Sequence, residues 1–172
     1  MGPRHRLVLA VALALAVGTA PGPGRADSPP DAPGLRVELL NFSRVVDSRE
    51  LTGKKVLVVR FQASYCRPCA KESRAFGRLV DRYRGQNVEF VALHVQDTVA
   101  DTRKFMRAQK VAYPIALDPQ LTIGNRFGFK GTPYTVVMDL KGELVARLHG
   151  ESAVTRLPAI LDEALREAPP GP

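Results

Sequence analysis

The chain has two cysteines, Cys66 and Cys69, which are separated by two residues in the stretch SYCRPCAKES, with Glu72 three residues further on. A disulfide stabilises a fold mainly by closing a loop. So short a loop contributes far less than the roughly 3 kcal/mol expected for about 15 residues. A structural crosslink is therefore a poor explanation for this spacing. The pattern favours a dithiol that takes part in chemistry.

Other uses of a C-x-x-C motif fit the surrounding residues less well. Attachment of a c-type haem requires histidine directly after the second cysteine, and residue 70 is Ala70. A structural zinc site requires two further ligands, but no second cysteine pair exists and the histidines, His5, His94 and His149, are scattered. Reversible exchange between dithiol and disulfide remains, and it requires a thiolate near neutral pH from a group whose free pKa is about 8.5.

The residues around the motif favour such a thiolate. The β-branched run Lys54–Phe61 predicts a buried strand, and a helical pattern follows it. Proline is tolerated in the first turn of a helix, so Pro68 places Cys66 at the helix amino terminus, where free N–H groups and the helix dipole stabilise negative charge. Arg67 adds a positive charge next to it. We therefore expect Cys66 to be the exposed nucleophile and Cys69, one turn inside the helix, to be the resolving thiol.

Glu72 lies on the same side of this helix as Cys69, because residues three apart are neighbours on a helix surface. Its carboxylate could take the proton of Cys69 and return it. The alternative is a solvated glutamate with no chemical role. The spacing alone does not separate the two interpretations.

The rest of the chain must position this helix, and its patterns alternate between strand and helix. Upstream, a small hairpin and a helical turn are predicted between residues 36 and 55. The closing helix is predicted over Thr155–Glu167, with Ile160, Leu161 and Leu165 facing inward. Between them we predict a strand at Val88–Val95, a helix at Asp101–Gln109, an extended segment at Tyr113–Asp118, a short helix near Leu121–Phe127, and an antiparallel hairpin turning at Lys141-Gly142.

Together these segments resemble the thioredoxin superfamily, specifically the exported TlpA/ResA/DsbE type. GKKVLVVRFQASYCRPCAKES resembles the strand, active-site loop and first helix of that family, and GFKGTPYTVVMDLKGELVARLHG resembles its proline loop and terminal hairpin. The resemblance covers residues 35–168. It implies an α/β thioredoxin-like fold, in which helices flank a central mixed β-sheet, with an N-terminal hairpin and a central strand-helix insert.

The resemblance also implies roles for individual residues. Pro133 would be a cis-proline facing the dithiol, and Thr132 would offer its backbone groups to a bound substrate strand. Glu72 matches the active-site glutamate of the family. Tyr65, Arg67 and Pro68 belong to the active-site loop, where Tyr65 replaces the usual tryptophan.

The implied activity is thiol:disulfide oxidoreduction by the dithiol itself, with no bound cofactor and no metal. The expected partners are client proteins with cysteine thiols or disulfides, and a membrane thiol reductase as electron donor. Relatives commonly reduce their clients, for example apocytochromes awaiting haem, so reduction is the favoured direction. A monomer is expected.

Arg60 departs from the family, whose members carry a buried Asp or Asn six residues before the first cysteine. A buried, unpaired guanidinium is very costly, so we expect Arg60 either to pair with an acid such as Glu72 or to extend to solvent. A guanidinium close to the thiols would lower the pKa of both and make the protein more oxidising.

Two other functions fit parts of the pattern. A peroxiredoxin-like peroxide reductase shares the fold but typically has threonine three residues before its reactive cysteine, where this chain has Ala63. The second alternative is a non-enzymatic module in which the thiols bind copper or form an inert bridge. His94 and His149 are the available histidine ligands, but each is predicted at a strand end, where a solvated histidine is commoner.

The amino terminus has the features of a secretory signal peptide. Arg4 and Arg6 precede the apolar run Leu7–Val17, which is 11 residues long, whereas a membrane-spanning helix needs roughly 20. Cleavage is predicted after Ala26, and the alternative is an uncleaved membrane anchor. Residues 27–34 are predicted to be a flexible Pro-rich linker and residues 169–172 a disordered tail. The expected location is periplasmic or secreted.

Removal of residues 1–26 would leave 22 Lys and Arg against 17 Asp and Glu, so the net charge would fall from +8 to +5. These charges form no basic cluster with interleaved aromatic residues in the sequence. We therefore expect no binding of nucleic acid.

Overall fold

The computed structural model describes residues 32–166 of the 172-residue chain. A two-stranded antiparallel hairpin comes first, followed by a five-stranded sheet with helices on both faces. The strands are β1 Arg36–Glu38, β2 Val45–Asp47, β3 Val56–Gln62, β4 Val88–Val95, β5 Ile115–Asp118, β6 Tyr134–Met138 and β7 Leu144–His149. The helices are α1 Ser48–Leu51, α2 Arg67–Arg82, α3 Val99–Gln109, α4 Thr122–Arg126 and α5 Ala153–Arg166, and a 3₁₀ turn spans Gly150–Ser152.

The five-stranded sheet is mixed and has the order β5-β4-β3-β6-β7. Strands β3, β4 and β5 run parallel, whereas β6 is antiparallel to β3 and β7 is antiparallel to β6. Every residue of β3 and β4 is buried, as expected for strands covered on both faces. The thioredoxin-like fold predicted from the sequence is confirmed.

The alternation of side chains along β3 decides what faces α2. Val56 and Val58 pack with Phe76 of α2 on one face, while Phe61 packs with the cluster on the other face. Arg60 and Gln62 occupy the same alternating row as Val56 and Val58. Their side chains are therefore directed towards the layer that contains α2 and α5.

The closing helix α5 differs from the prediction in its start and in its buried face. It begins at Ala153, and its buried residues are Ala153, Leu157, Leu161 and Ala164, whereas Ile160 and Leu165 are only half-buried. The buried set repeats at intervals of three and four residues, so the inward stripe is centred on Leu157 and Leu161. The predicted signal peptide, most of the predicted linker and the predicted tail lie outside the described residues. No helix within residues 32–166 has the length and apolar character needed to cross a membrane.

Tyr83 joins the end of α2 to α5. Its hydroxyl donates to Asp162 Oδ1 at 2.6 Å and to the carbonyl oxygen of Pro158 at 3.1 Å. Burial of the ring, and then the hydrogen bond and negative charge of Asp162, raise the pKa of Tyr83 from 10.0 to about 12. The phenolate is therefore disfavoured in the folded chain.

This contact makes a prediction about stability in alkali. Tyr83 loses its proton at higher pH in the folded state than in the unfolded state. Its contribution to the free energy of unfolding is therefore fully present below about pH 10. It is lost as the pH rises from about 10 to about 12. We expect a loss on the order of 2 kcal/mol across this range. Urea unfolding at several pH values checks it, with Tyr83→Phe as the control. A Tyr83→Phe variant with the same alkaline slope as the wild type would contradict the prediction.

Candidate active site

The two cysteines form a disulfide at the start of α2, with their Cα atoms 5.2 Å apart. Cys66 is the N-cap residue, and its sulfur accepts a hydrogen bond from the Cys69 backbone N–H at 3.1 Å. Pro68 stands in the first turn, where its missing N–H costs no helical hydrogen bond. The Cys66 sulfur is therefore held against the free N–H groups of the helix, as the sequence pattern predicts.

The two cysteines of the disulfide are buried to different extents. Cys66 is 5% exposed and Cys69 is 0% exposed, and both belong to the apolar cluster that also contains Phe61. The expectation that Cys66 would be exposed is wrong for the disulfide form, because its side chain folds back over the first turn of α2 onto this cluster. Cys66 is nevertheless the only member of the pair with any solvent contact.

The active-site loop presents two exposed side chains beside the disulfide. Tyr65 is 63% exposed, and Arg67 at the first helical position is also exposed. Tyr65 borders a shallow groove between the start of α2 and α3, with Ala70 and Phe105 among its lining residues. A flat aromatic surface and a positive charge therefore flank the position from which a second protein can reach Cys66.

Arg60 does not extend to solvent. It is 0% exposed, and its Nη2 donates to Glu72 Oε2 at 2.7 Å. The guanidinium also lies over the Phe76 ring, 5.0 Å from its centroid, while Nε and Nη1 have no hydrogen-bond acceptor among the described residues. The Arg60–Glu72 pair thus joins β3 to α2 one turn after Cys69.

The proline loop lies at the same end of the sheet. The Thr132–Pro133 peptide bond is cis, and the Pro133 carbonyl oxygen accepts from the Gly150 N–H at 2.9 Å. Tyr134, which follows, pairs with Phe61 near the end of β3. The chain leaves β3 towards Cys66 at this end, so the proline loop and the active-site turn share one edge of the sheet.

The two histidines of the described chain lie far from each other. His94 on β4 is 0% exposed, and its ring contacts Phe105, so the expectation of a solvated histidine is wrong there. His149 ends β7 and stacks on Tyr134. Strands β3 and β6 lie between β4 and β7, so three inter-strand spacings, about 14 Å in total, separate the histidines. One copper ion could not be bound by both.

The sequence interpretation missed Ser64 and Asp97 next to the active-site turn, and it considered His94 only as a copper ligand. Asp97 accepts two short hydrogen bonds from Ser64, and its carboxylate lies 2.7 Å from His94 Nδ1. One signal could have located them. Ser64 follows the carboxyl end of β3 and Asp97 follows the carboxyl end of β4, and the ends of adjacent parallel strands meet at the same edge of a sheet.

The fold and the Cys66–Cys69 disulfide define a thioredoxin-like thiol-disulfide oxidoreductase. The chain belongs to the AhpC/TSA family, whose model matches residues 31–147. Ala63, which is fully buried, occupies the position where a peroxide reductase of this fold typically has threonine.

Comparison with known proteins agrees with this class. Thiol-disulfide oxidoreductase ResA of Bacillus cereus is 26% identical over 133 residues, which are 77% of this chain and 76% of that protein. ResA of Halalkalibacterium halodurans is 29% identical over 100 residues, which are 58% of this chain but 56% of that protein, less than two thirds of its length. A thiol:disulfide interchange protein of the thioredoxin family from Chlorobium tepidum has a similar fold, with a TM-score of 0.70 at 22% identity over 82% of this chain and 99% of that one.

Proposed function

We propose that this protein is exported and reduces disulfides in client proteins, using Cys66 as the nucleophile and Cys69 as the resolving thiol. The observation that carries the proposal is the difference in burial across the disulfide, because a client can approach Cys66 but not Cys69. The reduced Cys66 thiolate attacks a client disulfide and forms a mixed disulfide. Cys69 then attacks the Cys66 sulfur, which releases the reduced client and regenerates the disulfide.

Other residues around the dithiol have supporting roles in the proposed reaction. Glu72 accepts the proton of Cys69 when that thiol attacks, and Arg60, at 2.7 Å from Glu72, keeps a positive charge beside this carboxylate. The backbone of Thr132, before Pro133, pairs with an extended client segment. Tyr65, Arg67 and Pro68 form the surface against which the client cysteine docks.

The proposal also includes a direction of electron flow and partners. The ResA relatives are named thiol-disulfide oxidoreductases, and the signal-peptide pattern of residues 1–26 supports export to an oxidising compartment. A reductant there requires an electron supply, so the proposal includes a membrane thiol reductase as donor. The protein acts as a monomer through its own dithiol, without a bound cofactor.

The experiment that tests the proposal is the reduction potential of the Cys66–Cys69 pair in the full chain, equilibrated against glutathione and read by alkylation and mass spectrometry. We expect a value near that of thioredoxin, about −270 mV, whereas a value near about −120 mV would identify an oxidant. Cys66→Ser and Cys69→Ser are the controls. The absence of any glutathione-dependent exchange would overturn the proposal, as would consumption of hydrogen peroxide that requires Cys66 and proceeds without disulfide exchange.

A further inference from the structure

Three buried or half-buried polar residues surround the turn that carries the reactive cysteine. Asp97 Oδ2 accepts from the Ser64 backbone N–H at 2.7 Å, and Asp97 Oδ1 accepts from the Ser64 hydroxyl at 2.7 Å. His94 Nδ1 lies 2.7 Å from Asp97 Oδ2. All three residues lie where β3 and β4 end, at the edge of the sheet from which the disulfide emerges.

Asp97 acts on the turn that ends at Cys66. The Cys66 N–H donates to the Ala63 carbonyl oxygen at 3.1 Å, which closes a four-residue turn over residues 63–66. Ser64 is the second residue of this turn, and both of its hydrogen-bond donors are taken by the Asp97 carboxylate. A carboxylate accepting two bonds from one residue fixes both its backbone and its side chain. The turn is therefore attached to the end of β4.

The hydrogen bonds of His94 determine which of its nitrogens carries the proton. Nδ1 lies 2.7 Å from Asp97 Oδ2, and a carboxylate can only accept, so Nδ1 carries the hydrogen and donates to Asp97. In the neutral ring Nε2 then has no hydrogen, and it lies 2.9 Å from the Gln62 amide nitrogen, which can donate to it. Burial lowers the pKa of His94, which keeps the ring neutral. With 0% exposure and the Phe105 ring against it, the imidazole has little freedom to turn.

The hydrogen-bonded set continues towards α2. Gln62 Nε2 also approaches the Tyr113 hydroxyl at 3.5 Å, and that hydroxyl lies 3.0 Å from Ser73 Oγ on α2. Buried polar groups are costly unless they are paired. This chain of hydrogen bonds reaches both the active-site turn and α2, so it fixes the position of one against the other, although Gln62 Oε1 has no partner among the described residues.

We propose that Asp97 and His94 are positioning residues for Cys66: Asp97 holds the turn that places the Cys66 sulfur at the amino terminus of α2, and His94 orients the Asp97 carboxylate. This inference rests on the proposed function, because it assigns a role in thiolate reactivity. The Cys66 thiolate depends on the N–H groups of the first turn of α2, of which Cys69 N–H is already 3.1 Å from the sulfur. A loosened turn moves the sulfur away from these donors and weakens the thiolate.

The test uses Ser64→Ala and Asp97→Asn in the full chain carrying Cys69→Ser, so that one thiol titrates. Thiolate absorbance near 240 nm and the rate of alkylation by iodoacetamide are followed against pH. We expect both variants to titrate at higher pH than the parent, and alkylation at pH 7 to slow by about tenfold in Asp97→Asn and by a smaller factor in Ser64→Ala. Ser64→Ala changes no charge, so its shift reports position alone.

Asp118→Asn is the matched control. Asp118 is also buried at a strand end and accepts two backbone N–H bonds, from Ile123 at 3.2 Å and Gly124 at 2.7 Å, but it holds α4 rather than the turn over residues 63–66. Urea unfolding of each variant shows whether the two replacements cost similar stability. We expect the alkylation rate of Cys66 in Asp118→Asn to stay within about twofold of the parent rate.

Two results would overturn the inference. One is a Cys66 titration in Ser64→Ala and Asp97→Asn that coincides with that of Asp118→Asn. The other is a shift to lower pH in Asp97→Asn, which would mean that Asp97 acts through its charge. If Asp97→Asn does not fold, Ser64→Ala and the ¹⁵N spectrum of His94 in the wild-type chain still decide, since an imidazolium at pH 7 contradicts the assigned hydrogen bonds. A different result would overturn the proposed function, namely the absence of exchange with glutathione in the wild-type chain.

Discussion

Replacing Cys66 by serine is expected to reduce disulfide exchange by at least about a thousandfold, because the nucleophile is lost and nothing can take its place. Cys69 is 0% exposed, so its sulfur cannot reach a client disulfide. Cys69→Ser should behave differently. Its Cys66 thiolate can still attack, but the mixed disulfide has no neighbouring thiol to resolve it and accumulates.

Turbidity from reduced insulin measures the loss of turnover in both variants, and non-reducing electrophoresis with mass spectrometry identifies the trapped adduct in Cys69→Ser. The double variant Cys66→Ser/Cys69→Ser is the control for adducts that do not involve the dithiol. A mixed disulfide on Cys69 in the Cys66→Ser variant would reverse the assignment of the two cysteines.

Glu72→Gln is expected to destabilise the fold by roughly 3–5 kcal/mol, because it leaves the buried Arg60 guanidinium without a counter-charge. Arg60→Met should cost less. The Glu72 carboxyl that it leaves is partly accessible, with a side chain 13% exposed, and it can take up a proton, whereas a guanidinium stays charged. The double variant Arg60→Met/Glu72→Gln should recover much of the loss seen in Glu72→Gln.

Urea unfolding of the four proteins in the disulfide form gives the coupling energy, which we expect to be about 2 kcal/mol. Asp81→Asn is the control for an exposed ion pair. Asp81 pairs with Arg84, the side chains are 62% and 74% exposed, and the expected effect is below about 1 kcal/mol. A coupling energy as small as the effect of Asp81→Asn would show that the Arg60–Glu72 pair contributes nothing specific to stability. The reduction potential of Arg60→Met then tests whether Arg60 also modulates the thiols.

Local features of the site could be predicted from the sequence because they depend on neighbours along the chain. Pro68 and the helical pattern placed Cys66 at the start of α2. The alternation of side chains along β3 directed Arg60 towards α2, where it could pair with Glu72. The burial of Cys66 could not be predicted in this way. It depends on how the disulfide packs against Phe61 and the rest of its cluster, which the sequence spacing does not contain.

The contacts of His94 and Asp97 were also beyond the sequence interpretation. They require the register in which Gln62 lies opposite His94, and they require Phe105 of α3 to cover the imidazole. A histidine at a strand end is usually solvated, so its type and position alone pointed away from a buried role. The strand and helix assignments were more accurate because strongly periodic segments carry their own signal.

The burial of Arg60 against Glu72 also restricts the order in which the two residues could have been acquired. A chain that gained Arg60 before an acid stood at position 72 would have carried a buried positive charge that cannot be neutralised by losing a proton. A chain that gained Glu72 first would have carried a carboxyl group that can be neutral or reach solvent. Reconstructed ancestral sequences should therefore contain glutamate at position 72 before arginine at position 60, and descendants that lose the pair should lose the arginine first.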